Sequence, residues 1–159
     1  MKNPFIMHML VALVWLFLSG NTSLANFFLA IVLTFFLLAL FRKPLHCQHY
    51  VRRTFAFVAF IWKLMIEIVA SNLRIMRVIL KPDAARFEGA FVPYNVSGLT
   101  EFEMLILSVC IGLSPGTMVA DRNEEKTELI LHVFAAGTDE EVRNKIDATL
   151  RAGILSFTR

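Results

Sequence analysis

The chain has 159 residues, 57% of them hydrophobic and 18% charged, where soluble domains hold about 45–50% apolar and about 25% charged residues. An ordinary cytosolic domain is thereby excluded, and a bilayer is part of the solvent. Residues 1–86 carry ten Lys/Arg against two acidic residues, and residues 87–159 carry six against eleven; because the basic excess flanks apolar segments, it marks the cytoplasmic side of a membrane and no nucleic-acid partner is expected.

Residues 1–41 hold one charged side chain, Lys2. Pro4 to Leu18 is apolar except for His8, and Leu24 to Phe41 is apolar except for Asn26 and Thr34. As helices they reach about 23 and about 27 Å, against about 30 Å of hydrocarbon. Ser19-Gly20-Asn21-Thr22-Ser23 between them is turn chemistry, so a transmembrane helical hairpin is expected. The rival is a cleaved signal peptide, with Lys2 as its basic end, Met9 to Leu18 as its apolar core and Ser23-Leu24-Ala25 as its cleavage site. The second apolar helix and its basic stop, Arg42-Lys43, favour the uncleaved hairpin. Arg42, Lys43, Arg52 and Arg53 at its exit, with Lys2 at its start, place both ends in the cytoplasm. The hairpin and its basic linker make up residues 1–53. Within the linker, His46-Cys47-Gln48-His49 is a cluster of metal-capable side chains, but three ligands without a fourth make a poor tetrahedral site. No metal is expected, and Cys47 and Cys110 are read as reduced, structural thiols.

Residues 54–82 form the next segment. Thr54 to Leu80 is apolar for a helix length yet contains Lys63, Glu67, Asn72, Arg74 and Arg77. Lys63, Glu67, Ser71, Arg74, Arg77 or Val78, and Lys81 follow one another at helical spacing as a narrow stripe. Such a helix either lies in the membrane interface or spans with its stripe against partners. Burying Lys, Glu and two Arg at about 2.5–3.5 kcal/mol each favours the interfacial lie. Pro82 is expected to end it.

Residues 83–159 read as a small cytoplasmic α/β domain of order β-α-β-β-α. Gly89 to Asn95 is a strand that Pro93 confines to an edge. Thr100 and Glu103 form a capping box for a helix running to about Leu113, with Leu99 and Met104 placed as a hydrophobic staple. That helix is apolar on nearly every face yet too short to span. Phe102, Leu105, Ile106, Val109 and Leu113 are expected to face the sheet, leaving Met104, Leu107 and Ile111 for another partner. Ser114-Pro115-Gly116-Thr117 then suits a type II turn. Strands Thr117 to Asp121 and Glu128 to Phe134 follow, joined by a charged loop. A second capping box, Thr138 to Glu141, opens the last helix, with Val142, Ile146 and Leu150 as its apolar stripe. The fold class is therefore an α+β membrane protein: a hairpin, an amphipathic helix and this domain.

Candidate chemistry is sparse. Lys63 and Glu67 are either an intramembrane ion pair on a cation path or a surface pair at the interface; the Arg residues continuing the stripe would repel a cation and favour the second. His132 sits on a strand without a nucleophile motif. No phosphate loop, zinc motif or carboxylate pair is present, so no enzyme, no cofactor and no small-molecule substrate is expected.

The whole chain resembles the E-type subunit of the multisubunit Mrp-type Na+/H+ antiporter. The resemblance rests on the hydrophobic hairpin, Asn72-Leu73-Arg74 with Val78-Ile79-Leu80, the run from Leu99-Thr100-Glu101 to Leu113-Ser114-Pro115-Gly116-Thr117, and Leu131-His132-Val133. Ser114 and Leu131 depart mildly from the Thr and Tyr of many members. The resemblance implies an accessory, non-catalytic subunit of a monovalent cation (Na+ or K+)/proton antiporter in a bacterial plasma membrane, with the other subunits of the complex as partners. It supplies no ion-binding or catalytic residue. The alternative is a membrane-tethered α/β binding or sensor module independent of an antiporter.

Overall fold

The computed structural model describes residues 3–80, 89–123, 125, 127–134 and 138–159. Lys81, Pro82 and part of the charged loop after Arg122 lie outside the described residues. Two compact units form, Met1–Phe55 and Ala56–Arg159.

In the first unit, helix α1 (Pro4–Ser19) starts where the Asn3 side chain accepts the Phe5 N–H, with Pro4 at a position that needs no donor. It stops at Gly20, whose φ of 62° is the left-handed conformation that closes a helix. Helix α2 (Leu24–Leu40) is capped by Ser23. The link is fastened by Asn26, whose Nδ2 donates to Ser19 Oγ at 2.7 Å and to the Asn21 carbonyl at 2.5 Å. α1 and α2 pack against each other.

Helix α3 (Gln48–Ile79) begins ahead of the expected Thr54. Its first turn is amphipathic: Arg52 and Arg53 stay exposed while Val51 is 1% exposed in a cluster with Leu38 and Cys47. Of residues 46–49 only Cys47 is buried, its thiol donating to the Leu38 carbonyl at 3.5 Å, while His46, Gln48 and His49 are exposed. Among the described residues α3, at 32 residues, is the one helix long and apolar enough by itself to cross a membrane; α1 and α2, at 16 and 17, are shorter apolar helices.

In the second unit, strands β1 (Gly89–Asn95), β2 (Thr117–Arg122) and β3 (Glu128–Phe134) form an antiparallel sheet of order β1-β3-β2. β1 is an edge, where Pro93 forfeits no ladder donor. Its free carbonyls are not left bare: Arg143 Nε donates to Pro93 O at 2.8 Å and Arg151 Nη1 to Asn95 O at 3.0 Å. One sheet face carries Val92, Tyr94, Leu129, Leu131 and Val133 into the core. Helix α4 (Glu101–Leu113), helices α5 (Asp139–Ile146) and α6 (Ala152–Thr158), and Phe60 and Leu64 of α3 cover it.

The rotation of α4 differs from expectation. Met104, Leu107, Cys110 and Ile111 are its buried residues, and Phe102, Leu105, Val109 and Leu113 are half or more exposed. An apolar pattern on every side cannot choose a face; in the fold Glu103, 3% exposed, lies on the buried side with Met104 and Leu107, where it accepts from Thr158 and Arg159.

The last helical stretch continues to Thr158 and carries a π turn at Asp147–Arg151 between α5 and α6. Its inward residues Val142, Ile146, Leu150 and Ile154 are spaced by four, a spacing that drifts about 40° per step on an α-helix. The wider i→i+5 closure of the π turn takes up that drift. α6 then approaches α3 so closely that a Cβ on Gly153 would collide with the Phe60 ring.

Candidate functional site

The second unit contains a cavity of about 250 Å³ bordered by Ser71 and Ile75 of α3, the Ser114–Thr117 turn, the end of β3 and α5. Its surface is mostly apolar, with the charged Glu67, Arg74, Glu141 and Lys145 among the lining residues. Of the residues singled out from sequence, Glu67, Arg74, Ser114, Pro115, Gly116 and Thr117 line it.

The turn is built by its residue types. Ser114 O accepts the Thr117 N–H at 3.2 Å, and Gly116 takes φ +86°, the third-position requirement of a type II turn. Thr117 Oγ1 donates to both Ile111 O and Ser114 O at 3.0 Å, closing the end of α4 onto β2. A Cβ on Gly116 would also stand 2.8 Å from Ile75 Cδ1, a side-chain tip that would have to move aside. Gly116→Ala should therefore destabilise the second unit by about 1–3 kcal/mol, read as a lowered denaturant midpoint of the full chain in detergent.

Glu67 is the electrostatic centre. Lys145 forms an ion pair with it, Arg74 approaches at 3.9 Å, and Ser71 Oγ donates to it at 3.0 Å. This corrects the Lys63–Glu67 pairing: Lys63 is exposed, and the carboxylate turns instead to a cation of α5. The partner of Glu67 thus lies far along the chain, where no i,i+4 rule looks for it. A carboxylate already held by two cations is a poor base for the buried Ser71 hydroxyl, so the cluster joins α3 to α5 rather than activating a nucleophile.

The remaining sequence candidates are elsewhere. Asn72 is exposed and donates to Ile68 O at 2.8 Å. His132 lies on the uncovered sheet face, in register with Phe91 on β1 and Met118 on β2, its ring centroid 5.1 Å from that of Phe91. Among the described residues no group of three His, Cys, Asp or Glu side chains is placed to hold a metal ion.

Two polar centres, at His8 and Tyr94, were not anticipated, nor were the partners that Glu103 gains beyond its capping box. His8, 3% exposed, donates from Nε2 to Ile31 O at 2.9 Å, which leaves Nδ1 to accept the Tyr50 hydroxyl at 2.7 Å; its sequence signal was a lone imidazole in an apolar run. Tyr94 donates to Asp147 at 2.6 Å, and burial with that carboxylate pushes its phenol up to about 12. Glu103 accepts from Arg159 Nε and Nη2 at 3.2 and 3.1 Å, from Thr100 N at 2.8 Å and from Thr158 Oγ1 at 2.7 Å, and these donors, Arg159 foremost, hold its carboxyl down at about 2.

Apolar helices and a small α/β unit whose charges fasten its own elements together define a membrane-associated protein of mixed helix and sheet. The chain belongs to the Na+/H+ ion antiporter subunit family, whose model matches residues 8–156, and its place is at a membrane. An E1 subunit of the Na(+)/H(+) antiporter of Staphylococcus epidermidis is 29% identical over 150 residues, covering 94% of each chain. The E1 subunit of Staphylococcus saprophyticus is 26% identical, covering 94% of this chain and 93% of that one. Among solved structures, a chain of the membrane-bound sulfane sulfur reductase, an archaeal respiratory membrane complex, matches 94% of this chain and 97% of its own at 16% identity and a TM-score of 0.55, a shared fold. A chain of the Mrp complex from Dietzia sp. DQ12-45-1b matches 64% of this chain and 92% of its own, with 18% identity and a TM-score of 0.45.

Proposed function

We propose that this chain is an accessory, non-catalytic subunit of a multisubunit monovalent cation (Na+ or K+)/proton antiporter, supporting assembly or stability of the complex, with the other subunits of an Mrp-type antiporter and the lipid bilayer as its partners. Family membership over residues 8–156 carries this reading. The polar groups of the first unit support the accessory role: His8 and Asn26 are engaged in tying helices and turns together, which leaves little to coordinate a moving cation. Deleting the gene within its operon should lower cation-dependent proton exchange in membrane vesicles. Undiminished exchange with an intact complex would remove the reading. The mainly apolar cavity beside Glu67 favours a second reading, a tethered binding or sensor module, which gains if the neighbouring genes encode no large polytopic antiporter subunits.

The proposed layout has residues 1–53 as a transmembrane hairpin with its basic linker, 54–82 as a membrane-associated helix and 83–159 as a cytoplasmic α/β domain. α3 is suited to an interface: Phe60, Leu64 and Ser71 are buried in the unit, Lys63, Arg74 and Arg77 are exposed on one flank, and Trp62, Ile66, Val69 and Met76 are exposed on the side turned away from the core. Both the amino terminus and the α/β domain then face the cytoplasm, with Ser19 to Ser23 outside. Native Cys47 and Cys110 are buried, so a membrane-impermeant thiol reagent applied outside should label a cysteine placed at Asn21 and spare one placed at Asn123. Labelling at Asn123 would show an odd number of crossings.

A further inference from the structure

Helix α4 is apolar on two opposite faces, and among the described residues only one is packed into the core. Leu107 and Ile111 are 0% and 1% exposed in the core, while Phe102, Leu105, Val109 and Leu113 stand at 64%, 62%, 54% and 50% exposure. These four follow one another at steps of three and four, so they form one continuous outward stripe. No charged side chain interrupts it between Phe102 and Leu113 except Glu103, which points inward. Beside the stripe, the position of a Cβ on Gly112 meets open space, leaving a notch in the ridge.

The surroundings of the stripe decide its occupant. At its start stands Glu101, 74% exposed and paired with Arg122, and the adjoining β2–β3 corner exposes Asp121 and Glu125. The anionic cytoplasmic leaflet repels such a rim. A polytopic membrane protein offers the opposite sign, because the cytoplasmic ends of its helices are rich in Lys and Arg, and a glycine notch lets a partner helix approach closely. We infer that the outward stripe of α4 is a docking surface for an apolar helix of a polytopic partner subunit, near that helix's basic cytoplasmic end. The inference rests on the proposed place of the chain in an antiporter complex and names the surface that holds it there.

The test uses the full, tagged chain in its native membranes. A photo-crosslinking amino acid at Leu105 should yield an adduct with a large polytopic subunit. A Leu105→Lys/Val109→Lys variant should recover about tenfold less of that subunit, or lower still, while its α/β unit keeps wild-type resistance to protease. Adducts with lipid alone or with a second copy of this chain, or undiminished recovery by a variant that is folded, would overturn the docking surface and leave the antiporter reading standing. If the wild-type chain itself recovers no polytopic subunit, the antiporter reading fails and the docking surface with it.

Discussion

Leu107→Asp should unfold the α/β unit. Leu107 is 0% exposed, packed among residues of the sheet and the helices above it. Truncating such a leucine alone costs about 2–5 kcal/mol, and a carboxylate without a partner in the same space adds a desolvation penalty. The sum, more than about 4 kcal/mol, is comparable with the whole stability of a small domain. Limited proteolysis of the full chain should show the region after Asn95 cut rapidly in Leu107→Asp and protected in the wild type. Leu105→Asp, on the exposed side of the same helix, should leave protection within about 0.5 kcal/mol of wild type. Similar sensitivity of the two variants would mean that the rotation of α4 is wrong.

Glu103→Ala should be the second most damaging change, with a loss of about 1.5–3 kcal/mol. The side chain closes the capping box at the start of α4 and also accepts from Thr158 and Arg159 at the end of α6, so one truncation releases both helix ends. Its folded carboxyl is held near 2, below the ordinary 4.5. Stability from this group is therefore complete above about pH 4.5 and is lost as the pH falls toward 2. Denaturant midpoints measured between pH 6 and pH 3 should fall more steeply for the wild type than for Glu103→Ala. Parallel falls would show that Glu103 gains nothing from its donors.

Local chemistry was legible in the sequence wherever neighbours decide the structure. Both capping boxes, Thr100 with Glu103 and Thr138 with Glu141, form as their spacing requires. Pro93 places β1 at an edge, and Gly116 provides the left-handed turn residue. What failed was long-range. Lys63 is the helical neighbour of Glu67, but Lys145 reaches the carboxylate because folding lays α5 beside α3. The facing of α4 could not be read because a helix apolar all round has no amphipathic signal. The early start of α3 was hidden because Arg52 and Arg53 look like linker until Val51 is seen to be buried beside them. In the cavity, the turn residues were identified from sequence, whereas its α5 wall was assigned only to a helix stripe.

The central claim, that this chain works as one part of an antiporter complex, is tested most directly by purifying the tagged full chain from native membranes in mild detergent and identifying its companions by mass spectrometry. Large polytopic antiporter subunits should be recovered in fixed proportion to the tagged chain. A chain that purifies alone and monomeric, from membranes in which those subunits are present, would contradict it.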